Sequence, residues 1–146
     1  MGFVPDNAEW YLAEIVEELT VEDDPRNVVW RNLTLVHANS PDDAYEQALR
    51  LGHSGETEYL NSAGKIVTIR FRGLSSLDVI HDPLEHGSEL MFHSNVDVGP
   101  EDLRRLLRSK EELELFSPIR QLDGPDIAAV EIVQEMEERF GIKRPG

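Results

Sequence analysis

The chain has no cysteine. Disulfides, thiolate metal sites and thiol redox chemistry are excluded, and a reducing cytoplasm is the expected compartment. No uncharged apolar run approaches the ~18 residues that a membrane span needs. The opening Met1-Gly2-Phe3-Val4-Pro5-Asp6 carries neither a basic flank nor an apolar stretch, so no secretory signal is expected. Positive charge is scarce. Against 29 Asp and Glu stand 14 Lys and Arg, a net charge of −15, and no basic residue precedes Arg26. A surface this acidic repels phosphate backbones, which excludes nucleic acid as the expected partner and leaves basic proteins or metal cations. The imbalance is uneven: residues 1–100 hold 18 acids and 6 bases, residues 101–146 hold 11 acids and 8 bases.

A length of 146 residues predicts one domain. Such a chain buries roughly 68% of its unfolded surface, enough for a core without staples. Residues 1–8 read as a tail, 9–119 as a single domain and 120–146 as a C-terminal helical extension. Residues 10–19 alternate, with Tyr11, Ala13 and Ile15 on one face and Trp10, Leu12, Glu14 and Val16 on the other, which predicts a strand. Pro25 breaks a polar turn, and residues 28–38 form a second strand in a hairpin with the first. Ser40-Pro41-Asp42-Asp43 starts a helix: a side-chain cap, proline at the first position and acids at the positive end. Gly52 is its expected stop. Residues 53–64 read as a loop. Residues 65–74 form a strand with Val67, Ile69 and Phe71 on one face, bent at Gly73 and extended by 77–80. Residues 89–95 read as the fourth strand. A short helix opens at Pro100 with Leu103, Leu106 and Leu107 inward, Ser109 begins a capping box, and Pro125 starts a last helix. The order ββαββα predicts an α+β fold: a mostly antiparallel four-stranded sheet with helices on one face, plus the extra C-terminal helix.

Trp10-Tyr11-Leu12-Ala13-Glu14-Ile15, Arg31-Asn32-Leu33, the Ser40–Ala48 helix start, Arg70-Phe71-Arg72-Gly73-Leu74 with Leu77, and Glu85-His86-Gly87-Ser88-Glu89-Leu90 follow one another in an order that resembles a bacterial family, domain of unknown function 4288. The resemblance spans roughly residues 9–119. It implies a bacterial origin and a compact domain, and it implies no mechanism.

The densest group of ligand-type side chains is His81-Asp82-Pro83-Leu84-Glu85-His86. His81, Glu85 and His86 are the candidate metal ligands, with His93 able to join them if its strand pairs nearby. Pro83 argues against a helix that would align them, and a polar turn is the plainer reading. Arg70 and Arg72 share one strand face and are candidates for binding a carboxylate or phosphate, against plain cross-strand pairing with the glutamates of the first strand. Glu22-Asp23-Asp24 lacks the alternating ligands and glycine of a calcium loop. No Ser-His-Asp set, phosphate loop or paired-carboxylate motif stands out, and no cofactor is implied, so the chain leans away from catalysis. The expected function is a non-catalytic module that meets a basic partner protein through the acidic hairpin edge, with Glu17, Glu18, Glu22, Asp23 and Asp24 as contacts. Alternatives are a metal-dependent enzyme near His81, Glu85 and His86, and a homodimer through the apolar stripe of residues 125–140. No membrane is expected as a partner.

Overall fold

Strand alternation sets the architecture. In β1 (Trp10–Val21) the residues Tyr11, Ala13, Ile15, Leu19 and Val21 lie on one face and are all buried. A computed structural model describes residues 4–117 and 123–129. The described residues form two units, one of residues 4–91 with 124–129 and one of 92–117 with 123.

In the first unit β1 pairs antiparallel with β2 (Asn27–His37), from Trp10 opposite His37 to Thr20 opposite Asn27, without a break in register. The turn between them takes Asp23 into the left-handed region, φ 66°, which aspartate tolerates better than most residues. On its other side β1 pairs with β4 (Ile66–Val79), whose register slips twice, beside Ser75 and beside Arg72. Gly73 sits at the second slip with φ 139°, a conformation that only glycine adopts readily, so β4 runs through the expected bend as one strand. The sheet order is β2-β1-β4-β3, all antiparallel, with β3 Thr57–Leu60.

The helix α1 (Pro41–Ser54) is capped as its sequence dictates. Ser40 Oγ accepts from the Asp43 amide at 3.1 Å, and the Asp43 carboxylate accepts from the Asn39 amide at 3.0 Å. Ala44 and Ala48 pack against Tyr11, Ala13, Ile15, Val36 and Ala38. A second cluster, Leu19, Val21, Val67 and Ile69, packs with Val28, Tyr59 and Ile127 on the same sheet face.

Four expectations are corrected. Residues 89–95 form no strand; the fourth strand is β3, inside the stretch read as a loop. Both edges of β4 are taken, by β1 and β3, so the hairpin expected between β4 and 89–95 has no place on β4. A four-residue strand also shows too few alternations to be read as one. Gly52 does not stop α1. The helix runs through it and Gly55 caps it, because Gly52 is where the Phe71 ring lies against the helix. The chain is not helical from Pro125 to Ala129. There Asn61 donates to the Asp126 carbonyl, Tyr59 Oη donates to the Ile127 carbonyl, and Ala129 bridges to Asn61. The expected helix beyond residue 129, and with it most of the 125–140 dimer stripe, lies outside the described residues. Finally, Leu103, Leu106 and Leu107 do not face inward.

They belong to the second unit, which holds α2 (Pro100–Leu106) and two 3₁₀ turns, Lys110–Glu112 and Glu114–Phe116. None of these elements has a buried residue. The Ser109 amide donates to the Glu112 carboxylate at 3.2 Å, the expected capping interaction. The fold is mixed α+β with a four-stranded antiparallel sheet.

Candidate functional site

One sheet face carries α1; the described residues of that unit supply no second helix for the other. On that open face β2 presents Val29, Leu33 and Leu35, which are 52%, 61% and 44% exposed, with Arg31 among them. Their neighbours across β1 are Glu18, Glu14, Leu12 and Val16 in turn: Val29 faces Glu18, Leu33 faces Glu14, Leu35 faces Leu12 and Arg31 faces Val16. Arg31 reaches diagonally to the Glu14 carboxylate at 2.5 Å, which Ser75 Oγ also meets at 2.6 Å.

β2 is also a sheet edge. The Ala38 amide donates to the Glu9 carbonyl at 3.0 Å, so Ala38 points its backbone polar groups at β1. In an antiparallel ladder that direction alternates residue by residue. Val36, Thr34, Asn32, Trp30 and Val28 therefore also point inward, and His37, Leu35, Leu33, Arg31, Val29 and Asn27 point their N–H and C=O groups outward. Edge strands are ordinarily blunted by proline, lysine, a bulge or a charge facing the wrong way. β2 is 11 residues long, contains neither proline nor lysine, and has no bulge against β1.

The acidic hairpin residues do not form one free patch. Glu17 is 9% exposed; it lies on the α1 side of the sheet, where Asn32 Nδ2 donates to it at 2.5 Å. Glu18 accepts from Asn27 Nδ2 at 2.7 Å and lies 3.8 Å from Arg72 Nε. The Glu22 carboxylate accepts from the Ile66 amide at 3.1 Å. Asp23 pairs with Lys65 Nζ at 2.8 Å, and this hydrogen bond raises the lysine's pKa. The Asp24 carboxylate accepts from the Arg26 guanidinium at 3.1 Å and from the Arg26 amide at 2.9 Å; these bonds hold the carboxyl below its ordinary range. The lack of any basic residue before Arg26 therefore does not leave this tip unneutralised. Lys65, just before β4, and the Ile66 amide that opens β4 reach it from more than forty residues away in the linear sequence.

Arg70 and Arg72 do share the open face. Arg70 stands opposite Glu18 in register, and Arg72 is the residue that ion-pairs with the same glutamate. His81, Asp82, Glu85 and His86 lie on an exposed turn. Asp82 accepts from the Glu89 amide at 3.1 Å, Ser88 Oγ accepts from the Glu85 amide at 2.9 Å and donates to the Pro83 carbonyl, and Gly87 takes φ 86°. His93 belongs to the second unit. Among the described residues no group of three or more His, Asp or Glu side chains is arranged to hold a metal ion. Nor is any helix among them long and apolar enough to cross a membrane.

Sequence reasoning missed the exposed edge. Its composition was visible, but whether a strand is central or peripheral depends on the order of the sheet.

No curated protein and no solved structure matches the chain. Residues 10–92, which include every strand of the sheet, match the model of the family described as a domain of unknown function (DUF4288), and the chain belongs to that family.

Proposed function

We propose that this chain is a non-catalytic protein-binding module that receives an extended polypeptide strand along β2. The observation that carries this reading is an 11-residue edge strand whose outer side pairs with no described strand, with Val29, Leu33 and Leu35 exposed beside it. Strand addition draws affinity from main-chain hydrogen bonds and specificity from alternate side chains. The open face offers an apolar row for those side chains, bordered by Glu14 and Glu18 on β1. With a net charge of −15, the favoured segment alternates apolar and basic residues. Catalysis plays no part in this reading. A cysteine-free chain suits the reducing cytoplasm of a bacterium, where we expect it to act.

The test is binding of synthetic extended peptides, alternating valine or leucine with lysine, to the wild type and to Leu33→Pro. Proline at 33 removes one outward N–H and leaves the β1 ladder intact. Binding should weaken by about tenfold or more in the variant, and should fall as salt rises. On monomeric protein, peptides that bind no better than scrambled controls, or that ignore the proline, overturn the reading.

A further inference from the structure

Resting on that reading, we propose that the strand received by β2 is the β2 of a second copy of the chain, paired antiparallel about a two-fold axis at Asn32. Three observations carry the choice of occupant.

The first is charge. Two copies of a chain with net charge −15 repel each other over most of their surface. Among the four described strands, β2 alone has no carboxylate; β1, β3 and β4 carry Glu14, Glu17 and Glu18, Glu58, and Asp78. A copy approaching edge to edge meets the least repulsive line of the sheet.

The second is register. Asn32 is the midpoint of Asn27–His37, so full overlap of two antiparallel β2 strands pairs residues whose numbers are symmetric about 32. Arg31 then faces Leu33 of the copy, Val29 faces Leu35 and Asn27 faces His37. No like charges meet. A shift that centres the axis on Arg31 sets two guanidiniums opposite each other, which is unfavourable. Full overlap is thus the longest closed isologous register, and it keeps the two guanidiniums apart.

The third is the backbone. Arg31, Leu33, Val29, Leu35, Asn27 and His37 are the outward-pointing residues, and full overlap pairs each of them with another outward-pointing residue. Both copies therefore offer donors opposite acceptors, giving about a dozen main-chain hydrogen bonds. The same overlap joins Val29, Leu33 and Leu35 of both copies into one apolar row across an eight-stranded sheet.

The absence of native cysteine makes the register directly testable. Val29→Cys with Leu35→Cys places two thiols roughly 20 Å apart within one strand, too far to bridge. In the paired copies each faces the other's counterpart. The double variant should form a covalent dimer on mild oxidation, and each single variant should remain uncrosslinked because like positions are also roughly 20 Å apart. By sedimentation the wild type should weigh twice the chain mass. Leu33→Lys should halve that mass, whereas Leu51→Lys, at an exposed position on α1, should not. A monomeric wild type at high micromolar concentration overturns the proposal, as do a dimer indifferent to Leu33→Lys and single cysteines that crosslink as readily as the pair. A monomer that still binds extended peptides, with loss on Leu33→Pro, overturns self-pairing and leaves β2 as a docking strand for another protein. A monomer that binds no peptide overturns both.

Discussion

Asn32 of β2 donates its amide to the Glu17 carboxylate of β1 at 2.5 Å, on the α1 side of the sheet, and that carboxylate is nearly buried. Glu17 also lies close to the end of α1, its Oε2 only 2.9 Å from where a Cβ at Gly55 would stand. Asn32→Ala leaves a buried acceptor short of its donor, a loss of about 1–3 kcal/mol. Glu17→Gln keeps an acceptor oxygen and should lose less. Urea unfolding of the two variants measures the order, and a larger loss for Glu17→Gln would show that charge, not the Asn32 bond, governs the site.

Gly52→Ala sets two effects against each other. Alanine in a helix interior is favoured over glycine by about 1 kcal/mol. Its Cβ would stand 2.7 Å from Phe71 Cζ, with two more ring carbons nearer still. Overpacking of this kind costs about 1–3 kcal/mol, so the steric effect should win. The denaturation midpoint should fall, and Phe71→Leu added to the variant should recover part of the loss because the two sites share a contact. A raised midpoint for Gly52→Ala alone would mean that the ring moves aside freely.

Much of the sheet was legible because its signals are local. Tyr11, Ala13 and Ile15 alternate with Leu12 and Glu14, and Ser40 caps the helix that Pro41 and Asp42 open. What could not be read depends on partners distant in sequence. β3 is short and is held by β4 and by Asp126 and Ile127, more than sixty residues away. Residues 89–95 have the residue types of a strand, but β4, the partner they would meet in a hairpin, already has β1 and β3 on its two edges. The acidic tip looked unneutralised because Lys65 approaches it only after β4 folds beside β1. Of the cross-strand pairing open to Arg70 and Arg72, Arg72 pairs with Glu18, while Glu14 takes Arg31 from the strand on its other side.

Stability should bend at both ends of the pH scale, with opposite signs. Hydrogen bonds from His53 and from the Phe71 amide hold the Glu56 carboxyl below its ordinary range, and bonds from the Asn39 amide and Gln47 do the same for Asp43. A depressed carboxyl stabilises the fold above its unfolded pKa, and that contribution is lost as pH falls through the folded value. The thermal midpoint should therefore drop below about pH 4. Lys65, raised by Asp23, contributes below its unfolded pKa of about 10.4 and loses that contribution as pH rises through the folded value. Circular dichroism melts across pH should show an acid limb that is shallower in Glu56→Gln. An acid limb unchanged by Glu56→Gln would mean that the other carboxylates account for it.

Asn61 is the joint between the β3–β4 turn and the returning chain. Its Oδ1 accepts from the Ala63 and Lys65 amides, each at 2.9 Å, while its Nδ2 donates to the Asp126 carbonyl at 2.9 Å, and the side chain is buried. Tyr59 adds a single bond to the Ile127 carbonyl. Asn61→Ala orphans three backbone groups at once and should cost about 1–3 kcal/mol, whereas Tyr59→Phe orphans one carbonyl and should cost about 0.5–1.5 kcal/mol. Burial pushes the Tyr59 phenol above its usual pKa, and the Asp126 carboxylate adds to the shift. Cutting the chain after Asp123 removes both the cover and the charge, so the phenol should ionise at lower pH and the sheet should unfold at lower urea. The two readouts separate two roles. A phenol that shifts while the midpoint stays put would make residues 126–129 a passive cover, and a midpoint that falls with it makes them part of what holds β3 on the sheet.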